Sequence, residues 1–131
     1  MERLKVLLVD DEVEFVTTLA ERLRMRGIEA STAADGDEAL RRVEGDSPAV
    51  VVLDVLLPGL GGLEVLRHIK RTHPAVQVIL LTGRGSTDEG AEGMRLGAFD
   101  YLMKPLKIDE LIQKMKKAAG TSSEGPTREE G

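Results

Sequence analysis

Six side chains in this sequence of 131 residues could share one piece of chemistry: Asp10, Asp11, Glu12, Asp54, Thr82 and Lys104. Three consecutive acids and a distant fourth offer hard oxygen donors, a set suited to a divalent cation such as Mg2+ with water completing its shell. Asp54 lies inside an apolar stretch, with Val50 to Leu53 before it and Val55 to Leu57 after it. A carboxylate buried there needs partners, and acids drawn together repel one another unless a cation or an ammonium such as that of Lys104 relieves them. Each residue alone has a plainer reading: Asp11 caps a helix, Thr82 ends a strand and Lys104 is a loop lysine. The chemistry depends on bringing them together.

The elements that would do so are readable from the apolar pattern. Leu4 to Val9, Ala49 to Leu53 and Val76 to Leu81 are apolar runs nearly free of alternation, which suits strands buried on both faces. Ile28 to Thr32 and Phe99 to Met103 are weaker strands. Between them, residues recur at helical spacing: Phe15, Leu19 and Leu23; Ala39, Leu40 and Val43; Leu63, Leu66 and Ile69; Leu111, Ile112 and Met115. Asp11, three residues before Glu14, predicts a capping box at the first helix; Gly27 closes that helix and Pro48 precedes the third strand. A further helix over 86–96 holds Gly90 and Gly93, each costing about 1 kcal/mol relative to alanine, which predicts a mobile segment. Five β-then-α units imply an α/β fold with a doubly wound parallel sheet. In such sheets ligands bind beyond the carboxyl ends of the strands. Asp10 and Asp11 follow the first strand, Asp54 the third, Thr82 the fourth and Lys104 the fifth, so all would gather at one edge.

Composition narrows the alternatives. The length suits one domain, and the absence of cysteine removes disulfide, thiolate-zinc and thiol chemistry. The start of the chain does not read as a signal peptide, and no apolar run reaches membrane-spanning length, so a cytoplasmic protein without a membrane partner is expected. A net charge of -5, from 18 basic and 23 acidic residues, argues against direct nucleic-acid binding. Lys114, Lys116 and Lys117 are read as a solvated face near the end of the last helix. His68 and His73 are read as surface histidines. Neither a P-loop nor a complete G-x-G-x-x-G is present, which argues against nucleotide binding. Residues 1–119 are expected to form the domain, and 120–131, rich in Ser, Thr, Glu and Gly, a flexible tail or linker stub.

At these residues the chain resembles the receiver domains of two-component response regulators, over roughly Leu4 to Ala119. The marks are Val9-Asp10-Asp11-Glu12, Asp54 with Leu57-Pro58-Gly59, Leu81-Thr82-Gly83, Gly97-Ala98-Phe99-Asp100-Tyr101 and Lys104-Pro105. The resemblance implies a flavodoxin-like sheet of five strands ordered 2-1-3-4-5 with five helices. It implies that Asp54 takes a phosphoryl group from a histidine kinase or a histidine phosphotransfer protein. Asp11, Asp54 and the Leu56 backbone carbonyl would hold Mg2+ directly, and Asp10 through water. Lys104 and Thr82 would bind the phosphoryl oxygens, Lys104-Pro105 would be cis, and Tyr101 would turn as Thr82 moves. The face of helix 4, strand 5 and helix 5 would meet a downstream effector or a second copy in a phosphorylation-dependent homodimer.

Two positions depart from relatives. Gly61 stands where an acid is frequent, and Leu56, two places after Asp54, where a polar residue or Met is frequent. The resemblance implies that Leu56 and Arg84 flank the path of an attacking water, so they are expected to tune dephosphorylation. Leu56 also argues against a Mg2+-dependent aspartyl phosphatase acting on outside substrates, since those enzymes usually carry a second acid at this position. No turnover beyond the domain's own phosphorylation and dephosphorylation is expected. A receiver that docks without phosphate would not need the complete set of acceptor-site residues found here.

Overall fold

The computed structural model describes residues 3–83 and 87–124. Five strands, β1 (Lys5–Val9), β2 (Glu29–Ala33), β3 (Val50–Asp54), β4 (Gln77–Thr82) and β5 (Asp100–Met103), alternate with five helices. The helices are α1 (Val13–Met25), α2 (Gly36–Asp46), α3 (Gly62–Thr72), α4 (Thr87–Arg95) and α5 (Ile108–Glu124). All pairings are parallel, in the order β2-β1-β3-β4-β5. The doubly wound sheet is the one the sequence implies.

The apolar runs become strands because both faces of the sheet are covered. Val6, Leu8, Val50, Val52, Ile79 and Leu81 face a cluster closed by Val16, Leu19, Ala20 and Leu23 of α1 and Leu111, Met115 and Ala118 of α5. The alternate residues Leu7, Val9, Val51, Leu53, Val78 and Leu80 pack with Ala39 and Val43 of α2 and Val65, Leu66 and Ile69 of α3. Side chains along a strand point to opposite faces, so two layers of helix require apolar residues at consecutive positions. Burying such side chains contributes about 1.5–3 kcal/mol each.

Three local expectations change. The capping box does not form: α1 starts at Val13, its N-cap is Glu12, and no side chain caps it. The chain leaves β1 through Asp10, whose Oδ1 accepts from the Glu12 N–H at 2.9 Å, which sets the helix start later than the Asp11 to Glu14 spacing suggests. Second, α5 runs through Gly120 to Glu124, past the boundary expected at 119, while residues 125–131 lie outside the described residues. Lys114, Lys116 and Lys117 therefore sit in the middle of α5, away from its C-terminus. Lys114 is no free surface cation either, since its Nζ donates to Asp100 Oδ2 of β5 at 2.6 Å.

The glycines of α4 have a packing reason as well. A Cβ at Gly93 would collide with Cδ1 of the fully buried Leu80, and one at Gly90 would stand 3.2–3.3 Å from three atoms of the Tyr101 ring. Bare Cα positions let α4 lie close against β4 and β5, which offsets their helix-propensity cost.

Candidate functional site

Sheet topology brings the acids together. β1 is flanked by β2 on one side and β3 on the other, so strand order reverses between β1 and β3, and a crevice opens beyond their carboxyl ends. Val9 is opposite Leu53 in register, so Asp10 and Asp54 leave their strands side by side. Asp10 is 1% exposed and Asp54 7%. Asp10 is tied back by its N–H to the Ala33 carbonyl at 3.1 Å, and the residue after Asp54, Val55, donates to the Leu81 carbonyl at 3.0 Å. Gly62 closes the turn behind Asp54: its N–H reaches the Val55 carbonyl at 3.1 Å, and a Cβ there would strike the Asp54 carbonyl and the Val55 backbone.

Lys104 arrives from the end of β5. Its N–H donates to the Thr82 carbonyl at 2.9 Å, which fixes the lysine beside the buried end of β4, and the Lys104–Pro105 peptide is cis. Its Nζ lies 2.8 Å from Asp10 Oδ2, 2.9 Å from Glu12 Oε1 and 3.6 Å from Asp54 Oδ2. The face of the Phe15 ring stands 4.9 Å from the same ammonium. Asp11, Glu12, Asp54, Leu56, Gly83 and Lys104 line an open cleft of ≈ 340 Å3.

Charge balance follows from this packing. Burial pushes the Asp54 carboxyl above its ordinary value and the Asp10 charge adds to the rise, while the Leu56 N–H, donating to Asp54 Oδ1 at 3.1 Å, and the Lys104 ammonium oppose it. For Lys104 burial would favour the neutral amine, but the close Asp10 carboxylate, the hydrogen bond to Glu12 and the Asp54 charge hold it well above the ordinary lysine range. Lys104 is therefore a firm cation.

A metal ion fits the acids. Asp10, Asp11 and Asp54 each offer a carboxylate oxygen, and these oxygens lie within 4.8 Å of one another. Asp10 Oδ2 is buried without a hydrogen bond, its contact with Lys104 being a close approach of charges in a poor direction for one. An under-bonded buried oxygen beside two further carboxylates suits a hard cation. Glu12 does not join this group: it turns to Lys104 instead.

The structure thus gathers Asp10, Asp11, Asp54, Leu56, Thr82 and Lys104 at one end of the sheet. Tyr101, two register pairs down β5 from the Thr82–Met103 pair, opposes Leu80 and packs against the core cluster that α2 and α3 close. Arg84 lies outside the described residues. Leu56 stands 62% exposed at the cleft. His73, at the C-cap of α3, is distant from the cleft in sequence and fold and sits 3.4 Å from Glu44 of α2. Sequence reading missed the Glu12 and Phe15 contacts to Lys104. Their one sequence signal is that α1 begins directly after the acids, so its first turn must overlook them.

The family model described as "Response regulator receiver domain" matches residues 6–116. The transcriptional regulatory protein PrrA of Mycobacterium leprae is 39% identical over 112 residues, covering 86% of this chain and 48% of that one. The alkaline phosphatase synthesis transcriptional regulatory protein PhoP of Bacillus subtilis is 38% identical, covering 86% and 47%. The chain thus spans about half the length of the curated relatives it matches. Among solved structures, a response regulator receiver domain protein from Clostridium thermocellum superposes with a TM-score of 0.86 at 35% identity, over 91% of this chain and 96% of that one. The receiver domain of NtrX from Brucella abortus gives 0.84 at 38%, over 88% and 98%.

Proposed function

Because the chain belongs to the response regulator receiver family, we propose that it is a phosphoacceptor switch in which Asp54 takes a phosphoryl group from a partner's phosphohistidine. The observation that carries this reading is the buried Asp54 carboxylate, facing an open cleft with two further acids and a fixed ammonium around it. An Asp54 oxygen attacks phosphorus; the new P–O bond forms as the P–N bond to the donor breaks, and the imidazole leaves with the electron pair. The Leu56 N–H holds Asp54 Oδ1, orienting the carboxylate so that its other oxygen can face the donor. Lys104 supplies positive charge to the oxygens of the transferred group, and the Thr82 hydroxyl is the nearby donor that would meet another. Asp11, Asp54 and the Leu56 carbonyl would hold Mg2+, with Asp10 acting through water; the ion, when bound, neutralises negative charge on the group in transfer.

Phosphorylation adds negative charge and acceptor oxygens at the sheet's edge, biasing an existing equilibrium that Thr82 and Tyr101 report to the face of α4, β5 and α5. That face would meet the effector or a second copy. The chain would act on no outside substrate. Among the described residues no helix is long and apolar enough to cross a membrane, in keeping with a cytoplasmic site of action.

The test is intact mass after incubation with acetyl phosphate and Mg2+. One phosphoryl adduct is expected on the wild type, with none on Asp54→Ala and none in EDTA. A folded wild-type protein that gains no adduct would turn the reading toward phosphate-independent docking.

A further inference from the structure

Glu12 occupies the N-cap of α1, a position whose side chain ordinarily accepts from a backbone N–H of the first turn. It makes no such bond. Its Oε1 instead accepts from Lys104 Nζ at 2.9 Å, from a residue 92 positions away in sequence. The Phe15 ring, in the first turn of α1, offers its negative face to the same ammonium. Lys104 Nζ is thus closer to Glu12 and Asp10 than to Asp54, at 2.9 and 2.8 Å against 3.6 Å.

We propose that Glu12, with the Phe15 ring behind it, is a positioning residue that parks the Lys104 ammonium over the start of α1 in the resting protein. It thereby sets how readily that ammonium passes to a phosphoryl group on Asp54. The proposal rests on the phosphoacceptor reading above. A phosphoryl oxygen on Asp54 draws the same ammonium charge and so competes with the Glu12 carboxylate that holds it in the resting protein. Asp10 is buried and holds its place, whereas Glu12 is 65% exposed and is the partner that water can most easily replace. Exchange of Glu12 for a phosphoryl oxygen is therefore the step that moves Lys104. Its ease depends on the Glu12 charge, since an exposed pair is weak enough to be broken yet still biases the resting geometry.

Glu12→Gln keeps the shape and one acceptor oxygen but removes the charge. The variant weakens the resting arrangement and leaves the phosphoryl-engaged one nearly untouched. Two readouts test this on the full chain. One is hydrogen exchange of the Lys104 ammonium in the resting protein, followed by NMR and assigned through its loss in Lys104→Gln. The other is affinity for beryllofluoride, a phosphoryl mimic, titrated by fluorine NMR at saturating Mg2+ so that changes in metal affinity do not enter. Glu12→Gln is expected to speed ammonium exchange and to tighten beryllofluoride binding about two- to fivefold, the range of an exposed ion pair. Unchanged exchange, or an affinity that is equal or weaker, would overturn the proposal. A wild-type protein that binds no beryllofluoride would overturn the phosphoacceptor reading itself, and this proposal with it.

Discussion

Asp54 ends β3 at 7% exposure, with the Leu56 N–H on its Oδ1 and the Lys104 ammonium 3.6 Å from its Oδ2. The three carboxylates around the cleft repel one another in the metal-free protein, and a cation that binds only the folded chain stabilises it by mass action. Mg2+ at a hundredfold above its dissociation constant should stabilise the fold by about 2.7 kcal/mol, a rise in melting temperature on the order of 10 °C for a domain this size. Asp11→Asn should lose most of that rise in a thermal melt with and without Mg2+. A variant that keeps the full shift would remove Asp11 from the ligand set. Leu56 stands exposed at the mouth of the same cleft, where water would approach a phosphorylated Asp54 under the proposed function. Leu56→Asn should change the half-life of the phosphorylated form, followed by loss of the mass adduct; equal half-lives would show that this side chain does not touch the water's path. Most of these residues were legible in the sequence because each stands at the end of an apolar run. The contact between Glu12 and Lys104 was not, because the partner lies across the fold and the spacing put the helix cap at Asp11.

At the scale of elements, close approach decides which glycines matter. Gly62 starts α3 directly under the Asp54–Val55 backbone, and a methyl group there would force the main chain to move. Gly62→Ala should destabilise the protein by about 1–3 kcal/mol or more, the range of overpacking, whereas Gly45→Ala in α2, where a Cβ meets nothing within 4 Å, should stabilise it by about 0.4–1 kcal/mol. Denaturant titration of both variants checks the contrast. The tie between β5 and α5 has a pH signature. Burial would raise the Asp100 carboxyl, but hydrogen bonds from Lys114 and the Tyr101 N–H, with the charges of Lys114 and Lys117, hold it below its ordinary 3.8. A depressed folded value means that the unfolded chain binds the proton more tightly. The stabilisation is therefore present above about pH 3.8 and is lost as pH falls through the folded value. Asp100→Asn should be less stable than wild type at neutral pH, with the gap closing in melts below that point. This pairing could not be read from α5 alone, where three lysines looked like a solvated face; it takes the fold to place Asp100 against Lys114.

For the whole molecule, period and strand-end chemistry were enough to reach the doubly wound sheet, since apolar residues at consecutive positions demand helices on both faces. Strand bounds differ by about one residue from the apolar runs, because the hydrogen-bonded ladder extends into Asp54 and Thr82 as it does into any residue with extended backbone. The end of α5 was not legible: Gly, Thr and Ser carry no apolar period, yet the helix passes through Gly120 to Glu124 by continuing its backbone ladder from the packed turns before it. The same topology that builds the core sets the reversal of strand order between β1 and β3, so the acid pair at Asp10 and Asp54 is a consequence of the fold as much as of the sequence. The central claim is that the phosphoryl group goes to Asp54 and to no other acid. Borohydride reduces an acyl phosphate to the alcohol, which would convert a phosphorylated aspartate to homoserine. After acetyl phosphate and Mg2+, peptide mass spectrometry should find homoserine at position 54 alone. Homoserine at position 10 or 11, or none at 54 in protein carrying a phosphoryl adduct, would contradict the account.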